Sequence, residues 1–151
     1  MTREQSMPQA IITYRGTIYP WHCDHIGHMN VMWYVGKFDE STWQLFSAIG
    51  LTPSFLRDNK RGMAAVDQHI SYLQELQSGD VVTVKSRIIE VNEKSIRFIH
   101  EMWNDGTEEL AARTTIKGVH IDTMLRKSCA FPSEIARKAA SFVAPETAVQ
   151  S

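Results

Sequence analysis

Between residues 30 and 49 the apolar positions Val31, Tyr34, Val35, Phe38, Leu45 and Ile49 recur at helical spacing and share one arc, with Thr42 filling the gap. The spacing predicts a helix of about twenty residues, roughly 30 Å long, which Gly50 is placed to stop. Before it, residues 10–19 are dense in β-branched and aromatic side chains and close at Pro20, which predicts a strand. After it, Thr52 and Pro53 read as N-cap and first residue of a short second helix ending before Gly62. Residues 63–76, 80–91, 94–103 and 109–121 then favour extended structure, with turn residues at Ser78-Gly79-Asp80, Asn92-Glu93 and Asn104-Asp105-Gly106. Four strands joined by tight turns predict an antiparallel meander. A C-terminal helix is expected to start at Pro132.

The order of one strand, one long helix and four strands predicts an α+β protein. Its expected form is a five-stranded antiparallel sheet wrapped around one long central helix. A single helix cannot cover both faces of such a sheet, so a homo-oligomer, dimer or tetramer, is expected to cover the remaining surfaces or edge. A chain of 151 residues supports one core. The expected organisation is a single domain over residues 10–142, with a flexible segment at 1–9 and a flexible tail at 143–151.

Composition narrows the classes. An apolar fraction of 43% and a charged fraction of 22% exclude disordered and fibrous chains. Sixteen Lys and Arg against 17 Asp and Glu leave a net charge of −1, which gives no general pull toward nucleic acid or an anionic membrane. An anionic ligand would have to be held by local groups. No apolar run approaches the ~18 residues of a membrane span, and the N-terminus has no signal-peptide core. Cys23 and Cys129 form neither a disulfide framework nor a CxxC pair, so a reducing cytoplasm is the expected location.

The candidate chemistry sits between the first strand and the long helix, in Asp24-His25-Ile26-Gly27-His28-Met29-Asn30. A loop carboxylate lies beside a helix start, where free N–H groups and the positive dipole end can stabilise an oxyanion. Asp24 could equally cap a turn, and Asn30 is a preferred N-cap whether or not it also touches substrate. His22, His25 and His28 with Asp24 suggest metal ligands by residue type, but their spacing on an irregular loop matches no ligand pattern. No metal is expected; His28 is read as orienting loop or substrate, His22 and His25 as ordinary polar residues. Cys23 has no evident cationic partner that would activate it and reads as a packing residue. Met29, Met32, Trp33, Trp43 and Phe46 fit either an acyl tunnel or a core.

The stretch Cys23-Asp24-His25-Ile26-Gly27, with Asp39 fifteen positions after Asp24 and Lys94-Ser95 at a later hairpin, resembles the 4-hydroxybenzoyl-CoA-type thioesterases of the hotdog fold. The pattern Asp24-x-x-Gly27-His28-x-Asn30 followed by Tyr34 is similar to that of small bacterial acyl-CoA thioesterases. The resemblance runs from about Thr13 to Pro132 and implies hydrolysis of an acyl-CoA thioester without cofactor. It implies Asp24 as the catalytic carboxylate, either nucleophile or general base, and the Val31 backbone N–H as oxyanion donor, worth ~3 kcal/mol of transition-state stabilisation. His28 and Asn30 would support the reaction, and Gly27 and Tyr34 would line the substrate site. Lys94 and Ser95 would meet the nucleotide end of coenzyme A, with Arg126 and Lys127 as weaker candidates.

Asp39 is the reserve carboxylate, since it lies at the margin of the apolar arc whereas Glu40 points away from it. Two other functions compete. A hotdog hydratase or dehydratase pairs an aspartate with a histidine five positions on, and here Asp24 and His28 are four apart. A non-catalytic acyl-CoA-binding module would lack an effector domain within this length.

Overall fold

The computed structural model describes residues 10–143; the flexible segment expected at 1–9, and the tail expected at 143–151 apart from Val143, lie outside the described residues. Strand β1 (Ile11–Thr17) leads through a 3-10 turn at Pro20–His22 to helix α1 (Val31–Ala48) and the short helix α2 (Pro53–Asp58). Strands β2 (Arg61–Tyr72), β3 (Val81–Val91), β4 (Ser95–Asn104) and β5 (Glu109–Asp122) follow, then a two-residue strand β6 (Lys127–Ser128) and helix α3 (Ser133–Ser141).

Caps set the helix limits where the residue types predict them. The Asn30 side chain accepts from the Met32 N–H, and Gly50 takes a positive φ of 97° just after α1. Thr52 accepts from the Phe55 N–H at the start of α2, with Pro53 in its first turn. One face of α1 buries Tyr34, Phe38, Leu45 and Phe46. Phe46 packs against Phe98 at 5.4 Å between ring centroids, within a cluster that includes Ile96 and Ile116 on the sheet. Burial of this stripe, more than intrinsic propensity, holds an 18-residue helix in place.

The expected four-strand meander is not what forms. The sheet order is β1-β3-β4-β5-β2, all antiparallel, so only β3, β4 and β5 make a meander. β2 crosses to the far edge and pairs with β5. The reason lies after Tyr72, where Leu73 and Gln74 both donate to the Ala111 carbonyl and the ladder ends. The rest of residues 73–80 is a connection, not a tight turn, and the fully buried Leu76 belongs to the core beside Ile18 and Met29. The brief β6 was not expected; it pairs with the end of β5 across a turn in which the Asp122 carboxylate accepts from Met124 and Leu125. Val143, expected as the first tail residue, bridges to Ile88.

A polar chain crosses the core. The Thr42 hydroxyl donates to the Phe38 carbonyl at 3.0 Å, so its oxygen must accept from the His100 Nε2–H at 2.8 Å. The bare Nδ1 of His100 then accepts from Ser86, which also meets Thr13 at 2.6 Å. Burial holds the His100 pKa down to about 3 from an ordinary 6.5, so the ring is neutral at pH 7. The unfolded chain takes up this proton below about pH 6.5 and the folded chain does not until about pH 3. The stability it contributes is therefore complete above 6.5 and lost as pH falls, on the order of 1.4 kcal/mol per pH unit. Glu101, raised by burial to about 7 from 4.5, slopes the opposite way between those two values. The melting temperature should stay nearly level from about pH 6.5 to 4.5 and drop below that. In Glu101→Gln the drop should begin near pH 6.5. A wild-type melting temperature unchanged down to about pH 3.5 would contradict this balance.

Candidate active site

The loop from Cys23 to Asn30 is a closed, self-bonded turn. Asp24 N–H donates to the His28 carbonyl at 3.2 Å and Gly27 N–H to the Asp24 carbonyl at 3.0 Å. Gly27 has φ 100°, and nothing lies within 4 Å of a Cβ placed there, so the backbone angle and not crowding calls for glycine. Cys23 and Met29 bridge across the loop, and Met29 N–H reaches the Leu76 carbonyl at 2.7 Å. Those bonds anchor the loop to the connection that follows β2.

Within this turn the Asp24 carboxylate is held at both oxygens. Oδ1 accepts from the Ile26 N–H at 3.0 Å and Oδ2 from Asn30 Nδ2 at 3.1 Å. The Asn30 amide, then the Ile26 N–H, hold its pKa below the ordinary carboxylate value, so it is anionic at neutral pH. Asn30 does three things at once. Its amide nitrogen orients Asp24, its Oδ1 caps Met32 at 3.0 Å, and its own N–H donates to the His22 carbonyl at 2.9 Å. The Val31 N–H is the first of α1 and has no intrahelical acceptor, and among the described residues it has no other backbone acceptor either, so it can meet an external oxygen next to the carboxylate loop.

The His28 ring turns to Glu75, with Nε2 3.0 Å from Oε2, and contributes only its backbone carbonyl to Asp24. Tyr34 is buried, its hydroxyl donating to the Gln74 carbonyl at 3.4 Å and its pKa pushed up to about 12, first of all by burial. It sits in the core rather than on an open surface. Asp39 is exposed and lines a cavity of about 100 Å³ with Val35, Thr42, Trp43 and Gln68, between α1 and the edge strand β2. Among the described residues no group of three His, Cys, Asp or Glu side chains could hold a metal. No described helix is long and apolar enough to cross a membrane.

Lys94 and Ser95 are not near Asp24 in one protomer. β1 runs into the Asp24 loop at the end of the sheet where Thr17 pairs with Val81. Lys94 and Ser95 lie at the opposite end, beyond Val91 paired with Ile96. The two are separated by the length of β3, about 30 Å at the usual strand rise. Arg126 and Lys127 stand at that far end too, on the hairpin from β5 to β6.

His22 was expected to be an ordinary loop residue and is instead a buried brace. Its Nδ1 accepts from the Tyr19 N–H at 2.9 Å, its ring meets Trp33 edge-on at 4.7 Å, and its carbonyl holds Asn30. Burial, and next the Lys37 ammonium, lower its pKa. Only its place directly before Cys23-Asp24 hinted at this in the sequence.

Comparison with known proteins gives a consistent answer. The chain is 28% identical over 114 residues to the L-carnitine dehydrogenase/betainyl-CoA thioesterase of Agrobacterium fabrum, over 76% of this chain and 23% of that protein. It thus spans about a quarter of the length of the curated relatives it matches. Among solved structures, a hypothetical protein from Staphylococcus aureus in complex with CoA superposes with a TM-score of 0.83 at 21% identity, covering 94% of each chain. The 1,4-dihydroxy-2-naphthoyl-CoA thioesterase of Synechocystis superposes with a TM-score of 0.77 at 18% identity, covering 89% of this chain and 98% of that one. These likenesses place the fold, an antiparallel sheet with a helix packed on it, among the hotdog proteins. Residues 18–139 match the thioesterase-like superfamily, and the chain belongs to that superfamily.

Proposed function

We propose that this protein hydrolyses an acyl-CoA thioester to a free carboxylic acid and coenzyme A. The observation that carries this reading is the ionised Asp24, fixed by Asn30 and Ile26, next to the N–H at the start of α1, which has no backbone acceptor among the described residues. The thioester carbonyl oxygen accepts from the Val31 N–H as negative charge develops on it. Asp24 either attacks the carbonyl carbon, giving an anhydride that water then opens, or takes a proton from the water that attacks. In both routes the C–S bond breaks, the electron pair leaves on the CoA sulfur, and the thiolate is protonated. No metal or organic cofactor is required. Membership of the superfamily, the thioesterase activity in the names of its relatives, and a CoA complex of similar fold all support this. Release of thiol from a panel of acyl-CoAs that includes betainyl-CoA tests it.

The working unit is a homo-oligomer of hotdog subunits, each sheet wrapped on α1. β2 is a 12-residue edge with residues 65–69 exposed, a long edge that an isolated protein would have to protect. Antiparallel pairing of two such edges about a two-fold axis sets the Tyr72 end of one against the Arg61 end of the other. The Asp24 loop of one copy then faces the end carrying Lys94 of the partner subunit, which answers their separation within a protomer. On this arrangement Lys94 contacts the nucleotide end of coenzyme A, and Ser95 lies beside it. Lys94→Ala should raise KM severalfold with a smaller effect on kcat. An unchanged KM would remove Lys94 from the site. The cytoplasm, where acyl-CoA is made and used, is the proposed location.

A further inference from the structure

The side of α1 opposite the Asp39 cavity closes a second recess that thioester hydrolysis does not use. Trp33, Gly36, Lys37 and Glu40 fall on this side, and β1 with the following turn supplies Tyr14, Tyr19 and Trp21. The crevice has a volume of about 660 Å³, within the range of small-molecule sites. Its walls are aromatic: Tyr19 and Trp21 stack on each other at 4.5 Å, and Trp21 remains 66% exposed. Such a surface receives the face or edge of another ring.

Lys37 gives the crevice its sign. The residue is only 4% exposed, and its Nζ donates to the Tyr14 hydroxyl at 2.8 Å while lying 5.0 Å from the Tyr14 ring centroid. Among the described residues no carboxylate pairs with it. An ammonium withdrawn from water without an anion carries an unmet charge, and among the described residues its one hydrogen-bond acceptor is Tyr14, which leaves two of its three donors for a ligand. The carboxylate of Glu40 also lines the crevice, but on an exposed residue. Its charge disfavours a dianion such as a phosphate monoester and leaves the buried end suited to a single negative charge. We infer that this crevice binds an aromatic monocarboxylate, ring against Trp33 and the Tyr19–Trp21 pair, carboxylate on Lys37. His22, whose carbonyl holds Asn30, lines the same crevice, so an occupant touches the residue that braces the Asp24 loop.

Calorimetric titration of the full chain with phenylacetate and its neutral isostere phenylacetamide tests the site. The acid should bind at least about tenfold more tightly than the amide, and Lys37→Met should level the two. Glu40→Gln alters only an exposed side chain and should tighten the acid, not the amide, about threefold. A non-hydrolysable S-alkyl CoA should leave phenylacetate binding unchanged. Equal affinities, no heat for either ligand, a preference that survives Lys37→Met, no tightening in Glu40→Gln, or displacement by the CoA thioether would each overturn the assignment. The last would move the acid to the hydrolytic site instead.

Discussion

Replacing Asp24 by alanine is expected to lower kcat for acyl-CoA hydrolysis at least about 100-fold while the oligomer and the melting behaviour persist. The carboxylate is the group of the loop that is held at both oxygens next to the start of α1, ready to attack a thioester or accept a proton from water, and among the described residues no ionised side chain bonds to it. Fold retention is expected because the loop has independent ties: Met29 to Leu76, Asn30 to His22, and Gly27 to the Asp24 backbone. Asp24→Asn is the sharper variant. Its amide oxygen can still accept from Ile26, so the turn is kept while the negative charge is removed. If both variants hydrolyse acyl-CoA at the wild-type rate, Asp24 is not the catalytic group and Asp39 becomes the carboxylate to test.

The second large effect is expected from the free edge. Val66 is 57% exposed on β2, at the register irregularity between Ala65 and Asp67. Val66→Lys would place a charge at the middle of the strand proposed to pair with its symmetry mate, and two such charges would meet across the axis. The variant should elute as a monomer in size-exclusion chromatography with light scattering and lose more than about tenfold in kcat/KM. The loss follows from the proposed pairing, in which the Asp24 loop and the Lys94 end of the sheet come together only across that axis. A monomer with full activity would show that one protomer holds the whole site. An intact oligomer would show that assembly uses another face.

Much of the geometry of the candidate site could be read from the chain because its signals are local. Asn30 announces an N-cap, Gly27 a turn with positive φ, and Asp24 an Asx turn whose side chain accepts from the N–H two residues on. Each depends on a few adjacent residues, and each recurs in the structure. The apolar stripe from Val31 to Ile49 likewise marks α1 because helical spacing is a property of the segment itself. The position of β2 was not legible. Its alternation says strand, but its partner is β5 rather than β3, a choice decided by how α1 and the 73–80 connection carry the chain across the sheet. The same limit hid His100 in a strand and Lys37 on a helix face. The Thr42–His100–Ser86–Thr13 chain and the Lys37–Tyr14 contact join segments far apart in sequence. The His28–Glu75 pair is of this kind, joining the loop to the connection that follows β2.

The most direct test is to follow free thiol and carboxylic acid together as the purified wild-type protein meets a panel of acyl-CoAs, betainyl-CoA and aromatic and short- and medium-chain acyl-CoAs among them. Hydrolysis predicts that at least one member yields coenzyme A and its acid in equal amounts, with turnover lowered at least about 100-fold by Asp24→Ala. Enoyl-CoA hydration without thiol release, or saturable acyl-CoA binding with no turnover of any member, would contradict it.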